Sequence, residues 1–293
     1  MPTETAKPGT PGGSPLPEQL IDIDALLAAY HDISPDPTDP SNMVAFGTSG
    51  HRGSAFDGTF NEDHILAITQ AIVEYRKSER IEGPILMGKD THGLSRSAEY
   101  TAIEVLAANE IPTRFQANDS ITATPVISRA ILAYNQNRDS ALADGIIITP
   151  SHNPPRDGGI KYNPPHGGPA GSRTTGWIER RANEILAHGN ADVRRMPIDQ
   201  ARKQTCIEET DFTRPYVEAL SSVVDIERIR DAGLKLGVHP LGGANFPVWA
   251  PLAEIHGIEV EIVNDTIDPQ FAFMSLDKDG LIRMDCSSRR RVA

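Results

Sequence analysis

The chain has 293 residues, 39% of them hydrophobic, which is enough for one large domain or two ordinary ones around buried cores. A formal net charge of −12 would repel a phosphate backbone, and only 5% of residues are aromatic, so the composition excludes nucleic acid as a general partner. The N-terminus lacks the parts of a signal peptide and no stretch is long enough to span a membrane, so we expect a cytoplasmic protein without a membrane partner.

The first part of the chain alternates amphipathic helices with short apolar strands. Residues 1–19 are rich in Pro, Gly, Thr and Ser and are predicted to form a disordered tail, and residues 20–190 are predicted to form a first domain. Helices are predicted at about 20–30, 61–75, 95–108, 123–134 and 176–187, and strands at 84–88 and 145–149. This alternation favours an α/β fold, a three-layer α/β sandwich with a mixed, mostly parallel sheet.

The remaining residues repeat this alternation on a smaller scale. Residues 191–210 are polar and are predicted to be a linker, and residues 211–293 are predicted to form an incomplete second α/β domain of similar type. In this part, helices are predicted at about 215–224 and 247–256, and strands at 234–238 and 258–263.

The stretch ITPSHNPPRDGGIKYNPPHGGPA contains the strongest candidate site. Ser151 follows the buried strand ending at Thr149, and ligands of open α/β sheets bind beyond the carboxyl ends of strands. The glycines that follow allow backbone amides to converge on an anion. Lys161 adds a positive charge and His152 a group that exchanges protons near neutral pH, a combination that suits phosphoryl transfer. A purely structural loop is the alternative, whereas the absence of a G-x-S-x-G motif argues against a hydrolase triad.

A second glycine-rich stretch, FGTSGHRG, contains Arg52. The glycines around it let the backbone approach a ligand closely, and the planar guanidinium matches phosphate oxygens. On its own this stretch would fit a surface arginine in a turn equally well.

Three motifs together resemble the α-D-phosphohexomutase superfamily, and most closely its bacterial glucose-specific phosphoglucomutases. They are FGTSGHRG at 46–53, GKDTH at 88–92 and TPSHNPPRDGGIKYNPPHGGP at 149–169, and the resemblance extends from about residue 20 to residue 288. The resemblance implies that the substrate or its phosphate is bound by Thr48, Ser49, Gly50, His51, Lys89, Asp90 and Asn153.

The resemblance also implies a reaction. Ser151 would be a phosphoserine that converts glucose 1-phosphate into glucose 1,6-bisphosphate and then takes back the other phosphoryl group, which releases glucose 6-phosphate. Arg52 and Lys161 would stabilise the transferring group and assist proton transfer, with His152 in a supporting role. Mg²⁺ would be the cofactor, bound through the phosphate on Ser151, and glucose 1,6-bisphosphate the activator.

The sequence departs from the family at one decisive point. The family's metal loop, D-x-D-x-D-R, does not occur, and residues 289–293 no longer follow the family pattern, so we expect a chain truncated before the metal loop and with little or no activity alone. Two alternatives stay open: a catalytically silent fragment that binds phosphosugars or a partner, and a relative specific for mannose or glucosamine phosphates. The oligomeric state cannot be predicted.

Overall fold

The computed structural model describes residues 6–47 and 50–284. The helices are α1 (Ile23–Asp32), α2 (Glu62–Glu79), α3 (Ser95–Ala108), α4 (Thr124–Asn135), α5 (Ser172–Ala187), α6 (Ile198–Ala201), α7 (Thr213–Glu218), α8 (Ile226–Asp231) and α9 (Phe246–His256). The strands are β1 (His51–Ser54), β2 (Ile85–Lys89), β3 (Thr113–Gln116), β4 (Asp144–Ile148), β5 (Asp157–Asn163), β6 (Ile207–Thr210), β7 (Leu236–Val238) and β8 (Val260–Ile262).

A six-stranded sheet in the order β1-β5-β4-β2-β3-β6 organises the first part of the molecule. Strands β4, β2, β3 and β6 pair in parallel, whereas β5 runs antiparallel to both β4 and β1. The sheet is therefore mixed and mostly parallel, and the predicted fold class is confirmed.

Helices cover both faces of this sheet because its central strands are apolar on both sides. Met87 and Ile148 belong to a core beneath α2, α3 and α5, whereas Leu86 and Ile147 belong to a core beneath α4 and α7. Successive strand residues point to opposite faces, so the unbroken apolar run of β4 supplies both cores. The result is three layers, with the carboxyl ends of β2 and β4 side by side at one edge.

The later elements form a smaller unit. Strands β7 and β8 pair in parallel, α9 connects them and packs against α7 and α8, and a third apolar cluster forms around Phe271, Met274 and Leu276. In the part of the chain that the structure describes, no helix is both long and apolar enough to cross a bilayer.

Two predicted boundaries need correction. Residues 191–210 are not a linker, because they contain α6 and β6, and β6 pairs with β3 as the last strand of the sheet. The described part of the predicted tail is also ordered: the Gly12 amide donates to the carbonyl of Leu276, and the Leu276 amide donates to that of Gly13. The altered sequence at 289–293 lies outside the described residues.

Candidate active site

Ser151 lies three residues beyond the end of β4, exposed to solvent, with a φ of 70°. The Lys161 ammonium donates a hydrogen bond to its hydroxyl over 2.8 Å, and an Arg52 nitrogen lies 3.5 Å from the same oxygen. The left-handed backbone conformation is unfavourable for a residue with a Cβ atom, typically by 1–2 kcal/mol. The surrounding structure therefore fixes a strained serine next to two cations.

Strand pairing explains why Arg52 and Lys161 meet at the serine. In the antiparallel ladder between β1 and β5, Arg52 lies opposite Gly159 and His51 opposite Ile160. Because strand residues alternate between faces, His51 points into the core while Arg52 points to the serine loop. A Cβ atom on Gly159 would lie 2.4 Å from the Thr149 carbonyl oxygen, so only glycine permits this close approach.

The two cations determine the electrostatics of the site. Lys161 is almost fully buried, and burial together with the positive charge of Arg52 lowers the pKa of its ammonium. A lysine whose pKa is lowered can exist as a neutral amine closer to neutral pH and can then accept a proton from the serine hydroxyl. In its charged form the same group would stabilise a phosphoryl group on Ser151.

A buried network centred on Asp90 lies beneath the serine loop. The Asp90 carboxylate accepts hydrogen bonds from the His92 amide, from the His92 ring over 2.9 Å and from the Ser95 hydroxyl over 2.6 Å. Burial raises the pKa of Asp90, but the charge of His92 and the bonds from His92 and Ser95 hold it below its usual value, and the nearby Thr149 side chain adds to this effect.

The sequence predicted Asp90 as a phosphate-binding residue, but it did not single out His92 or Thr149. The other ring nitrogen of His92 lies 3.0 Å from the carbonyl oxygen of Asn153, and the Asn153 side chain donates to Asp157 over 2.9 Å. The Ser151 amide donates a hydrogen bond to the hydroxyl of Thr149 over 2.9 Å. The signals in the sequence were that His92 and Thr149 belong to the motifs at 88–92 and 149–169 and that both follow shortly after the ends of β2 and β4.

Two predicted substrate-binding side chains lie in the protein interior instead. The Lys89 side chain is 4% exposed, and its ammonium is bound by Glu99 over 2.7 Å and by Asp119 over 2.8 Å. His51 is 2% exposed and its ring donates to the Thr59 carbonyl over 2.8 Å. The structure therefore assigns both side chains to the core, because both lie on strands whose neighbours cover them.

The other predicted residues have varied positions. His152 is exposed and makes no hydrogen bond to any of the described residues, so its supporting role stays a prediction. Gly50 immediately precedes β1 and lies next to Lys161, whereas Thr48 and Ser49 lie outside the described residues.

A small cavity of about 100 Å³ connects the serine with the second unit. It is lined by Asp90, Thr91, His92, Thr149, Ser151, Gly243, Ala244, Phe271 and Met284. The His92 and Phe271 rings lie 5.3 Å apart across it. The serine loop therefore faces the loop before α9 as well as its own sheet.

Ligands for a divalent cation are scarce in the part of the chain that the structure describes. Over residues 6–47 and 50–284, no three His, Cys, Asp or Glu side chains lie together in a way that could hold a metal ion. Asp90 is the one carboxylate among the residues that line the cavity, and both of its oxygens already accept hydrogen bonds. A phosphate on Ser151 would be the one strong anionic ligand here, and Mg²⁺ needs several hard oxygen ligands.

Comparison with known proteins identifies clear relatives. A family model described as "Phosphoglucomutase/phosphomannomutase, alpha/beta/alpha domain I" matches residues 43–188. The chain is 52% identical over 282 residues to the phosphoglucomutase of Komagataeibacter xylinus, a match that covers 96% of this chain and 51% of that protein. It is 28% identical over 217 residues to the cytoplasmic phosphoglucomutase of Mesembryanthemum crystallinum, covering 69% of this chain and 37% of that protein. The chain thus spans about half the length, or less, of these relatives.

Solved structures agree on the fold. The phosphoglucomutase parafusin of Paramecium superposes with a TM-score of 0.64 at 18% identity, over 84% of this chain and 46% of that chain. A phosphoglucomutase/phosphomannomutase family protein of Burkholderia thailandensis superposes with a TM-score of 0.57 at 20% identity, over 76% of this chain and 44% of that chain.

Proposed function

Because the chain belongs to the phosphoglucomutase/phosphomannomutase family, we propose that Ser151 carries a phosphoryl group between the two phosphate positions of a hexose. The substrates would be glucose 1-phosphate and glucose 6-phosphate, with glucose 1,6-bisphosphate as intermediate and activator. The observation that carries the proposal is the 2.8 Å hydrogen bond from Lys161 to the Ser151 hydroxyl, beside Arg52.

The transfer to the serine follows from this geometry. A bond forms between Ser151 Oγ and phosphorus while the bond from phosphorus to the hexose oxygen breaks. The hydroxyl proton passes to the neutral amine of Lys161 and from there to the departing hexose oxygen, so that no charge is left uncompensated. Arg52 and the protonated Lys161 stabilise the charge on the transferring oxygens, and the reverse transfer uses the same groups.

The family suggests a metal cofactor, and we propose Mg²⁺. When bound, it would neutralise charge on the transferring phosphoryl group. The described residues do not form a magnesium site by themselves, so no step is assigned to the metal. Because the D-x-D-x-D-R sequence does not occur in the chain, we expect a single transfer to Ser151 but little or no complete interconversion by this chain alone.

Glucose is favoured over mannose and glucosamine by the 52% identity to a phosphoglucomutase. We also propose a cytoplasmic location, which is supported by the similarity to the cytoplasmic phosphoglucomutase of Mesembryanthemum crystallinum. A phosphosugar-binding fragment without catalysis is the second candidate. It is favoured by His152, which is exposed and has no hydrogen-bonding partner among the described residues, so this residue is not fixed as a second base at the serine.

Intact mass spectrometry separates the two candidates. The purified chain is incubated with glucose 1,6-bisphosphate and Mg²⁺, and its mass is compared with that of Ser151→Ala. A gain of one phosphoryl group that the variant does not show supports transfer. If the folded chain binds the bisphosphate but gains no mass, the proposal is wrong and the binding fragment is the better description.

A further inference from the structure

We infer that Asp90 is a positioning residue that holds Ser151 in its left-handed conformation through two side chains, Thr149 and His92. This inference rests on the proposed function, since it assigns these residues to the placement of the reacting hydroxyl. None of the three needs to touch the hexose. Together they are called the Asp90 clamp.

The first connection runs through Thr149 to the amide of the serine. The Ser151 amide donates to the Thr149 hydroxyl over 2.9 Å. The Thr149 side chain also lies near the Asp90 carboxylate and contributes to lowering the pKa of that group. Thr149 thereby connects the amide of the serine with the surroundings of the Asp90 carboxylate.

The second connection runs through His92 to the backbone of Asn153, two residues after the serine. One ring nitrogen lies 2.9 Å from the Asp90 carboxylate and the other lies 3.0 Å from the Asn153 carbonyl oxygen. A carboxylate and a carbonyl can only accept hydrogen bonds, so both ring nitrogens must donate and the ring is an imidazolium. The clamp thus holds the amide of residue 151 and the carbonyl of residue 153, and the strained residue lies between them.

Asp90 is well suited to be the fixed end of the clamp. Its own amide donates to the Ile148 carbonyl over 3.0 Å, which ties it to the end of β4, and Ser95 at the start of α3 donates to its carboxylate. The residue is 8% exposed and its position is therefore set by the sheet and not by the loop.

Charges around the clamp agree with this arrangement. The imidazolium faces Asp90 and, farther away, Asp157 on β5, both of which favour its charged form, while the ring of Phe271 covers its other side. Lys161 and Arg52 lie at the serine hydroxyl itself, so that cations are present where a phosphoryl group would be attached.

The test removes each connection separately in the full chain. Thr149→Val and His92→Phe keep the approximate size of the side chains and remove the bonds to the loop. Thr101→Val is the matched control. Thr101 is also buried, it lies in α3 away from the serine, and its hydroxyl accepts a hydrogen bond from Tyr30 over 3.0 Å. Three quantities are measured: the rate of phosphoryl gain from glucose 1,6-bisphosphate, hydrogen exchange of the amides at 151–153, and the urea midpoint of unfolding.

We expect both clamp variants to slow phosphoryl gain at least tenfold and to speed exchange of the Ser151 amide, with urea midpoints close to that of Thr101→Val. Thr149→Ser, which restores the hydroxyl, should recover most of the loss. Rates and exchange equal to those of Thr101→Val would overturn the inference. Thr149→Val also decides the matter if His92→Phe does not fold.

The two proposals can fail separately. If the unaltered chain gains no phosphoryl group, the proposed function fails, but amide exchange still tests the clamp without any reaction. Nitrogen chemical shifts of the His92 ring give a further readout: two protonated nitrogens at neutral pH support the inference, and a neutral ring contradicts it.

Discussion

Gly50 lies so close to Ile160 that a Cβ atom at residue 50 would be 2.3 Å from the Ile160 carbonyl oxygen. The same Cβ atom would lie 2.8 Å from Cγ of Lys161. The glycine-rich stretch and the strand that carries Lys161 are therefore in direct backbone contact. This contact couples the FGTSGHRG stretch to the serine loop, which lies about a hundred residues later in the sequence.

Gly50→Ala should therefore damage both stability and phosphoryl transfer. Because the clash involves a backbone atom, β1 or β5 must move, and overpacking of this kind typically costs 1–3 kcal/mol of unfolding free energy. Gly47→Ala is the control, since no described atom lies within 4 Å of the added methyl group. Urea unfolding of both variants, followed by the mass assay on Ser151, checks the prediction. Equal unfolding curves for the two variants would show that the close contact is unimportant.

Lys161→Met should slow phosphoryl gain on Ser151 by roughly 10²-fold, because loss of one fixed donor at a reacting oxygen typically has this effect. Lys77→Met, at an exposed position of α2, should leave the rate unchanged. The assay is the time course of mass gain by the folded chain. A similar rate in both variants would exclude Lys161 from the reaction.

The pH dependence of the same rate tests the neutral form of Lys161. Burial and Arg52 lower the pKa of this ammonium, so the neutral amine becomes more abundant as pH rises, and the rate should rise with pH and level off below the usual range of lysine. Lys161→Arg stays protonated and should show no such rise. If the rise persists in Lys161→Arg, another group accepts the proton.

The sequence predicted the serine loop and the buried strands more successfully than it predicted the partners of individual side chains. The apolar runs at 84–88 and 145–149 have the length and composition of buried strands, and both are strands in the structure. Strand β5 was missed because Asp157, Gly158 and Gly159 are typical of a turn, and only the pairing with β1 and β4 makes them a strand.

The same limit applies to charged side chains. Lys89 follows an apolar run in a motif that resembles a binding loop, yet Glu99 and Asp119, which neutralise it, are 10 and 30 residues away. No local pattern connects these three residues, because their contact depends on how α3 packs on the sheet. Side chains of successive extended residues point to opposite sides, so Asp90, the next residue, points away from Lys89 and into the network beneath the serine loop.

Asp144→Asn should destabilise the chain by about 3–5 kcal/mol, the usual effect of removing one partner from a buried ion pair. Arg76 and Asp144 are 2% and 0% exposed and lie 2.9 Å apart, and Tyr162 also donates to the same carboxylate over 2.6 Å. Glu208→Gln is the control, since its ion pair with Arg114 is solvent-exposed and should contribute less than about 1 kcal/mol. Urea unfolding at pH 7 measures both changes, and similar losses in the two variants would contradict the prediction.

Acid should destabilise the fold through His51. Complete burial, with a smaller effect of His64, lowers the pKa of His51 from 6.5 to about 3, so the unfolded chain binds a proton that the folded chain does not. The stability from the neutral ring is fully present above pH 6.5 and is lost as pH falls toward 3; at pH 5 the loss is about 2 kcal/mol.

The His51 effect can be separated from other titrations. The pKa of His92 is raised, because the Asp90 carboxylate outweighs burial, so its effect on stability has the opposite sign. This stabilising contribution is fully present below pH 6.5 and therefore does not change in the acid range where His51 acts. His51→Gln can still accept from the Ala45 amide and donate to Thr59, and should lose less stability between pH 7.5 and 5 than the unaltered chain. His188→Gln, at an exposed position, should behave like the unaltered chain, and an identical acid loss in His51→Gln would assign the effect to His64 or to carboxylates.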